Sequence, residues 1–312
     1  MKHFLIFTLA CLCSFQPAFS QMQRTLAERL GYPADTKLLI IHSDDLAVSH
    51  AENQASIEAM ETGSVRSASV MVPCPWLPEI ADYAKKHPNH DLGLHLTLTS
   101  EWWPYKWGPV APRAQVSSLV DSNGYFYNNC EAFASRAKLS EVEQELRAQI
   151  EKSKAMGLEP THLDSHMGCL FFQSPDLFAI YLKVGRAYGI PTMVSKDVLE
   201  SLPETFRKPV TDRDVVVDRV FTATPEDYAK GMEQYYLNVL GHLQAGVNVL
   251  LIHTAYETDD MRRMTDGFPG AWDSGWRQDD FNFFSGEICK KIIRDQGIQL
   301  ITWKEVGKLL KP

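Results

Sequence analysis

Apolar and polar positions along the chain form blocks that predict strands alternating with helices. Residues 38–41 are an unbroken apolar run, which predicts a strand covered on both faces rather than one with a solvated face. Further strands are predicted at residues 64–72, 91–99, 160–166, 192–195, 215–221, 247–253 and 298–303. The helices predicted between them cover residues 49–61, 76–86, 140–156, 175–188, 225–243 and 279–295.

This order of elements predicts an α/β fold, because parallel strands need crossover connections and helices of this length supply them. Seven or eight such strands predict a closed or nearly closed (β/α) barrel of the TIM type. The chain has no Pro/Ser/Gly-rich linker, internal repeat or low-complexity tract. We therefore expect a single domain over residues 21–312.

The first 20 residues have the composition of a secretory signal peptide. A short basic end is followed by apolar residues 4–13 and by a small-x-small cleavage site, Ala18-Phe19-Ser20. We expect the mature protein to begin at Gln21 and to be exported, either to a periplasm or outside the cell. A lipoprotein cleaved at Cys11 is the less favoured alternative, because its apolar core would be unusually short.

Charge narrows the range of partners. The chain has 39 acidic and 31 basic residues, a net charge of −8, and no basic cluster. This balance argues against nucleic acid or an anionic membrane as a partner and favours a neutral or cationic substrate. Beyond the N-terminal segment no stretch approaches the roughly 20 apolar residues of a membrane span. The oligomeric state is left open, and a homodimer is compatible with the sequence.

Cysteines remain at widely spaced positions after removal of the signal segment: Cys74, Cys130, Cys169 and Cys289. None belongs to a CxxC metal-binding motif. An oxidising compartment would permit one or two disulfides, but the spacing does not indicate which residues pair. Buried free thiols explain the same pattern equally well.

Two adjacent carboxylates, Asp44 and Asp45, follow the first apolar strand directly. Ligands of α/β folds bind at the carboxyl ends of the strands, so both acids lie where chemistry is expected. Neighbouring buried carboxylates repel each other unless a cation neutralises them or one keeps its proton. A metal ion is the simpler explanation, while capping of the next helix by Asp45 or Ser49 is the structural alternative.

Histidines recur at the ends of three further predicted strands. In the motif Gly-Leu-His-Leu-Thr-Leu-Thr, the period-two alternation places His95 on the face opposite the leucines. In Thr-His-Leu-Asp-Ser-His it places His162, Asp164 and His166 on one face. His253 ends the strand predicted at residues 247–253. A single histidine is more often structural, but their joint recurrence at strand ends predicts one shared site.

These motifs resemble the successive motifs of the YdjC-like carbohydrate deacetylases, which are similar to polysaccharide deacetylases. The similarity covers residues 41–46, 67–72, 93–99, 161–166 and 297–303. The resemblance implies a (β/α) barrel that holds one divalent metal ion, Zn²⁺ or Mg²⁺. It also implies that the protein removes acetyl groups from N-acetylated sugars or oligosaccharides, so that its partner is a carbohydrate substrate.

The resemblance implies the metal ligands and the catalytic base, and the chemistry of the reaction suggests roles for the other strand-end residues. The implied metal ligands are Asp45, His95 and His166. Asp44 would be the catalytic base that takes a proton from metal-activated water, and His253 would protonate the leaving amine. His162 and Asp164 would either orient His166 or form hydrogen bonds within the barrel wall.

The chain also departs from the family pattern. It has Asp-Asp-Leu-Ala at 44–47 where members usually have Asp-Asp-Phe-Gly, and Met-Gly-Cys at 167–169 where members have a second His-x-His. Thr254 replaces the proline that usually follows the histidine at position 253. These departures leave the three implied ligands in place and concern the substrate and the role of His253.

Aromatic residues are concentrated in two segments that follow predicted strands. We expect these segments to be loops over the site whose rings stack on sugars, although packing of the loops against the barrel would use the same residues. The candidate substrate-binding residues are Trp102, Trp103, Trp107, Trp272 and Trp276.

Three functions are compatible with this pattern. The first is a secreted metal-dependent carbohydrate deacetylase, and the second is a metal-dependent hydrolase of another ester, amide or phosphoester, because activated water does not itself select the bond. The third is a non-catalytic sugar-binding protein. The presence of both Asp44 and Asp45 argues against the third function, because binding alone does not need the second carboxylate.

Overall fold

A computed structural model describes residues 24–267 and 271–310 of the chain. The predicted signal segment at residues 1–20 lies outside the described residues. The strands are β1 (Lys37–Leu46), β2 (Ser67–Val70), β3 (Leu92–Leu96), β4 (Leu163–Ser165), β5 (Arg219–Phe221), β6 (Gly246–Ile252) and β7 (Gln299–Leu300). No helix within the described ranges is long and apolar enough to cross a membrane.

The helices surround these strands. They are α1 (Leu26–Arg29), α2 (His50–Glu61), α3 (Leu77–Lys86), α4 (Cys130–Ala134), α5 (Leu139–Ala155), α6 (Cys169–Phe172), α7 (Pro175–Tyr188), α8 (Lys196–Ser201), α9 (Glu204–Arg207), α10 (Pro225–Lys230), α11 (Met232–Gly241), α12 (Asp259–Met264), α13 (Ser274–Ser285), α14 (Glu287–Asp295) and α15 (Trp303–Gly307). Short 3₁₀ segments occupy Arg113–Gln115, Ser117–Leu119 and His166–Gly168.

The strands form one parallel sheet that curls around a common interior. Its order is β4-β3-β2-β1-β6-β5, and β7 pairs with the beginning of β1. Isolated parallel bridges, Leu163 with Thr192 and Ser195 with Val217, continue the curl from β4 toward β5. The predicted single-domain (β/α)-barrel fold is confirmed, in an irregular form whose β4 to β5 side is held by these bridges.

The central strand β1 separates two apolar cores, which explains its unbroken hydrophobic run. Leu38 and Ile40 pack inside the barrel with Trp303, whereas Leu39 and Ile41 pack outward against the helices. Side chains of a strand alternate between its faces. The inward series 38, 40 therefore continues to His42 and Asp44 at the carboxyl end of β1.

Several predicted elements differ from the observed ones for local reasons. The helix predicted at 225–243 is divided at Gly231, which adopts φ 107°, a value that glycine tolerates and other residues rarely adopt. Gly286 likewise separates α13 from α14 within the helix predicted at 279–295. The last strand is short because Thr302 caps α15 through the backbone N–H of Glu305.

The structure resolves the cysteine alternatives. Cys130 and Cys169 form a disulfide, whereas Cys74 and Cys289 are buried thiols. The disulfide joins the first residue of α4 to the first residue of α6, shortly after β4 ends. It therefore ties an outer helix to the segment that follows His166.

Candidate metal centre

The end of β1 is irregular, and this irregularity brings two consecutive carboxylates into one cavity. In a regular strand Asp44 and Asp45 would point to opposite faces. Instead Asp45 adopts φ 68°, and the pairing of β1 with β2 shifts register between Ser43 and Leu46. A left-handed backbone costs a non-glycine residue about 1 kcal/mol, and such strain is concentrated at functional sites.

Asp45 meets two histidines at the centre of this site. Its Oδ1 lies 3.3 Å from His95 Nε2 and 3.3 Å from His166 Nδ1. All three side chains are buried, and no described group donates a hydrogen bond to Asp45 Oδ1. Donor atoms on a tetrahedral zinc ion are separated by about 3.3 Å, since each lies 2.0–2.1 Å from the metal. The three predicted ligands therefore fit a divalent metal ion.

The second nitrogen of each of these histidines is held by a carboxylate. His95 Nδ1 lies 2.7 Å from Asp164 Oδ1, and His166 Nε2 lies 3.0 Å from Glu101 Oε2. Such contacts fix the orientation and tautomer of a metal-binding imidazole and increase its basicity. The nitrogens that face Asp45 are therefore positioned to bind a cation.

The electrostatics of the site favour positive charge. Burial lowers the pKa of His166, but Glu101 and Asp45 outweigh burial and raise that pKa to about 9. Burial also lowers the pKa of His95, and Asp164 and Asp44 again outweigh it, so the net direction is upward. The surrounding carboxylates thus stabilise a cation at this position, whether it is a proton or a metal ion.

Of the two alternatives for Asp164 and His162, the structure contradicts the orientation of His166 and places Asp164 in hydrogen bonds within the barrel. Asp164 supports His95 instead, because its carboxylate faces β3 and β1, while the chain after β4 turns at Met167 (φ 55°) and directs His166 toward Glu101. His162 lies deeper in the barrel, where its ring stacks on Trp303 with centroids 5.4 Å apart. A Cβ at Gly93 would lie 2.4 Å from that ring, so the glycine makes room for His162.

Asp44 lies beside the three candidate ligands and is held by His42. His42 Nε2 is 3.0 Å from Asp44 Oδ1 and 2.9 Å from Asp164 Oδ2, so one imidazole bridges two carboxylates. Burial lowers the pKa of His42, but its contacts with Asp164 and Asp44 raise the pKa to about 9. The Ser69 hydroxyl also donates to Asp44 Oδ1 over 3.3 Å.

Arg277 balances the charge of Asp45 from the opposite side. Its guanidinium donates to Asp45 Oδ2 at 2.8 Å and to Glu52 Oε2 at 2.9 Å, and it lies over the ring of Trp102. Burial raises the pKa of Asp45, but Arg277 and then His166 more than offset this and hold the pKa well below its usual value. Asp45 therefore remains ionised, as a metal ligand must.

His253 lines the same cavity at the end of β6. Its Nε2 lies 3.9 Å from Asp44 Oδ2 and 4.0 Å from Asp45 Oδ2. Asp280 accepts a hydrogen bond from the backbone N–H of His253 at 2.8 Å and so holds this strand end in place. Burial lowers the pKa of His253 to about 4, with Asp45 acting in the opposite direction and Arg277 adding to the decrease, so its ring is neutral at pH 7.

A cavity of about 440 Å³ opens above these residues. It is lined at one end by Asp44, Asp45, His95, His166, His253, Glu101 and Arg277. Its volume lies within the range of about 300–1,000 Å³ that is common for pockets that bind small molecules. The five strand-end residues that the sequence singled out for metal binding and catalysis are thus brought together in one place.

The tryptophans predicted to bind substrate occupy different environments. Trp102 and Trp272 line the cavity. Trp107 is buried and donates its ring N–H to the carbonyl of Thr99 at 2.7 Å, whereas Trp103 is 71% exposed and is absent from the cavity lining. The expectation that Trp276 lies in a loop is wrong, because Asp273 caps α13 at the Trp276 N–H and the ring is buried.

The structure adds site residues that the sequence analysis missed. His42 could have been predicted from the sequence, because strand alternation places it on the same inward face of β1 as Asp44. Glu101 follows the end of β3 outside any periodic segment. Arg277 is 232 residues from Asp45 in a helix that has no apparent link to the strand-end pattern. The last two are recognisable only from the folded arrangement.

Comparison with known proteins supports the family assignment. A carbohydrate deacetylase of Thermus thermophilus is 31% identical, over 91% of this chain and 99% of its own length. A carbohydrate deacetylase of Brevibacillus brevis is 30% identical, over 86% of this chain and 99% of its own length. The crystal structure of a putative cellobiose-phosphate cleavage protein from Enterococcus faecalis is 26% identical, covers 87% of this chain and 99% of its own, and has a TM-score of 0.68.

Three observations indicate the same family: the motifs at the strand ends, the barrel fold and the similarity to these relatives. The chain matches the YdjC-like protein family over residues 38–295, which include every candidate ligand and both proposed catalytic residues. The protein therefore belongs to the YdjC-like family.

Proposed function

We propose that this protein is an exported, metal-dependent hydrolase that removes acetyl groups from N-acetylated sugars or oligosaccharides. The observation that carries the proposal is the convergence of Asp45, His95 and His166 beside a further carboxylate, Asp44, at the end of a cavity. Relatives that cover nearly the whole chain are carbohydrate deacetylases, which favours an N-acetylated sugar over other substrates of a metal-activated water.

Asp45, His95 and His166 would hold the metal ion. Two imidazoles and one carboxylate suit Zn²⁺ better than Mg²⁺, since Mg²⁺ prefers oxygen ligands in an octahedral arrangement. A divalent ion bound there would supply a water of lowered pKa and polarise the amide carbonyl. Asp164 and Glu101 would keep the two imidazoles in the orientation that binding requires.

Asp44 would act as the general base. It lines the cavity, and its Oδ1 is engaged by His42 at 3.0 Å, which fixes the carboxylate without blocking Oδ2. A carboxylate in this position can accept the proton that the attacking water must lose as it adds to the amide carbon. His42 would be a positioning residue, since it bridges two carboxylates and does not line the cavity.

His253 would transfer a proton to the leaving amine. Its ring is neutral at pH 7, so it must first receive a proton, and the nearest acid to its Nε2 is Asp44, with 3.9 Å between Nε2 and Oδ2. The proton taken from water by Asp44 could then pass through the imidazole to the nitrogen as the C–N bond breaks. The products are acetate and a free amino sugar.

The disulfide supports the exported part of the proposal. Structural disulfides persist in oxidising compartments and are rare in the cytosol. The bond between Cys130 and Cys169 is therefore in keeping with the signal-like composition of residues 1–20.

The reaction is tested by comparing products. With N-acetylated chitooligosaccharides and added Zn²⁺, Mg²⁺ or Mn²⁺ in separate assays, we expect metal-dependent release of acetate. Zn²⁺ should be the most effective ion, because its preference for imidazole matches the donor set. Release of phosphate or alcohol from model phosphoesters or esters, without release of acetate from the sugars, would instead support the broader hydrolase.

The ligand set is tested by metal content. Replacement His95→Ala should lower bound metal after dialysis against a mild chelator, because one of three protein ligands is lost while the fold, monitored by circular dichroism, is retained. His242→Ala is the matched control, since His242 is exposed at the end of α11. Full metal content in His95→Ala would remove this residue from the site.

The two adjacent acids should differ in their effects. Asp44→Asn should retain metal but lower kcat about 10²- to 10⁴-fold with little change in KM, because the amide is nearly isosteric but cannot accept a proton. Asp45→Asn should weaken metal binding, and excess metal should partly restore its activity. If metal instead rescues Asp44→Asn and Asp45→Asn is metal-replete but inactive, the two roles are reversed.

Export is tested on the native protein. Mass spectrometry of protein purified from its source should show an N-terminus at Gln21 and, without reduction, a peptide that joins Cys130 to Cys169. Both results are expected of an exported protein, because export removes the signal peptide and the disulfide forms in an oxidising compartment. Retention of Met1 together with reduced Cys130 and Cys169 would contradict export.

A further inference from the structure

Most of the residues that line the cavity lie outside the metal centre, and most of these are apolar. Phe171 and Phe178 come from α6 and α7, Leu199 from α8, Val220 from β5 and Leu251 from β6. The charged residues of the cavity are grouped at the metal end. The proposed reaction uses this end, so the apolar part needs a separate explanation.

The apolar part lies on the irregular side of the barrel. Strands β4 and β5 are three residues long, and the chain between them contributes isolated bridges at Leu163–Thr192 and Ser195–Val217. Side chains from α6, α7 and α8 line the space beside these short strands. The fold thus leaves room between the strand ends and the helices, and places hydrophobic residues around it.

The apolar wall continues inward from the reaction centre. Leu251 precedes His253 by two residues on the same side of β6, so it lies about 7 Å deeper along the strand. Val220, on the neighbouring strand β5, also lines the cavity. A substrate whose carbonyl carbon sits between Asp44 and His253 would direct its acyl tail toward these residues and leave its amine portion outside.

The chemistry of the wall favours an apolar occupant over a second sugar ring. Among the described lining residues away from the metal end, the polar side chains are Ser165, Ser195 and Thr222. A sugar has several hydroxyl groups, and each would lose hydrogen bonds to water without gaining a protein partner. An acetyl group adds a single methyl beyond the carbonyl and would contact few of the apolar residues that line the cavity.

We propose that the hydrolase accepts, and prefers, N-acylated sugars whose acyl group is an unbranched aliphatic chain longer than acetyl. This inference rests on the proposed function, since it assigns the apolar cavity to the acyl group of the same reaction. Water adds to the acyl carbon, the C–N bond breaks, and the nitrogen takes a proton. The products are an aliphatic carboxylate, which leaves from the apolar cavity, and an amino sugar.

The test is a chain-length series on one sugar. Chitobiose N-acylated with acetyl, butanoyl, hexanoyl or octanoyl groups is assayed for release of the free amine with Zn²⁺ present. We expect kcat/KM to rise roughly tenfold for each two methylenes until the cavity is full, since each buried methylene contributes about 0.8 kcal/mol. The octyl glycoside of N,N'-diacetylchitobiose should show no increase in kcat/KM, because its alkyl chain is attached to the sugar and not to the acyl carbon.

A cavity-filling variant tests the location. Leu199→Trp should lower the ratio of kcat/KM for the hexanoyl over the acetyl substrate about tenfold or more, because the larger ring occupies space meant for the chain. Leu139→Trp, at an exposed position at the start of α5, is the control and should leave both values unchanged. If Leu199→Trp does not fold, inhibition of the unmodified enzyme by octanoate and by acetate is compared. Stronger inhibition by octanoate is expected if the product's chain binds in the apolar cavity, and equal inhibition would contradict the inference.

The outcomes separate this inference from the function on which it rests. Release of acetate with falling kcat/KM for longer chains would overturn the acyl-chain inference and leave the deacetylase intact. A preference for the octyl glycoside would also overturn it and assign the apolar wall to a group attached to the sugar. Failure to cleave any amide of the series would refute the proposed function itself.

Discussion

The site depends on one electrostatic constraint: several carboxylates are buried together inside the barrel and must be neutralised there. Asp44, Asp45, Asp164 and Glu101 all lie around two imidazoles, and isolated buried charges of one sign are very costly. Arg277 compensates part of this charge through Asp45, and His42 bridges two of the other acids. A divalent ion at Asp45, His95 and His166 would complete the balance, so the arrangement proposed to bind metal would also stabilise the interior.

The fold meets this constraint through local irregularity at the ends of its strands. Strand β1 is regular where it is apolar, and it departs from regularity where its side chains become charged. The left-handed conformation of Asp45 allows consecutive acids to share a cavity that a regular strand would divide between two faces. Because β2, β3, β4 and β6 end at the same edge, side chains at or just after their ends lie close to these acids. His166 follows β4 and reaches the site beside a second left-handed residue, Met167.

Charged and apolar residues line different parts of the cavity, because buried charges must lie close enough to neutralise one another. Charged groups are concentrated where they can neutralise one another, and the irregular side of the barrel is left to hydrophobic residues such as Phe178 and Leu199. A substrate of the proposed reaction that lay across this boundary would meet charged groups at its amide and an apolar wall at one end. The division of the cavity would therefore affect which amides the proposed hydrolase selects, whereas the charged end would carry out the reaction.

The sequence by itself determined the parallel (β/α) architecture, because apolar runs and helical periods are local consequences of burial. It also placed Asp44, Asp45, His95, His166 and His253 at strand ends, and parallel strands bring their carboxyl ends to one edge. Tertiary structure decided which groups touch: Asp164 supports His95 rather than His166, and Glu101 and Arg277 enter from outside the strands. Likewise Trp276 is buried in a helix and Cys130 pairs with Cys169. These outcomes depend on distances between residues far apart in the chain, whereas alternation within a strand specifies only the face on which a side chain lies.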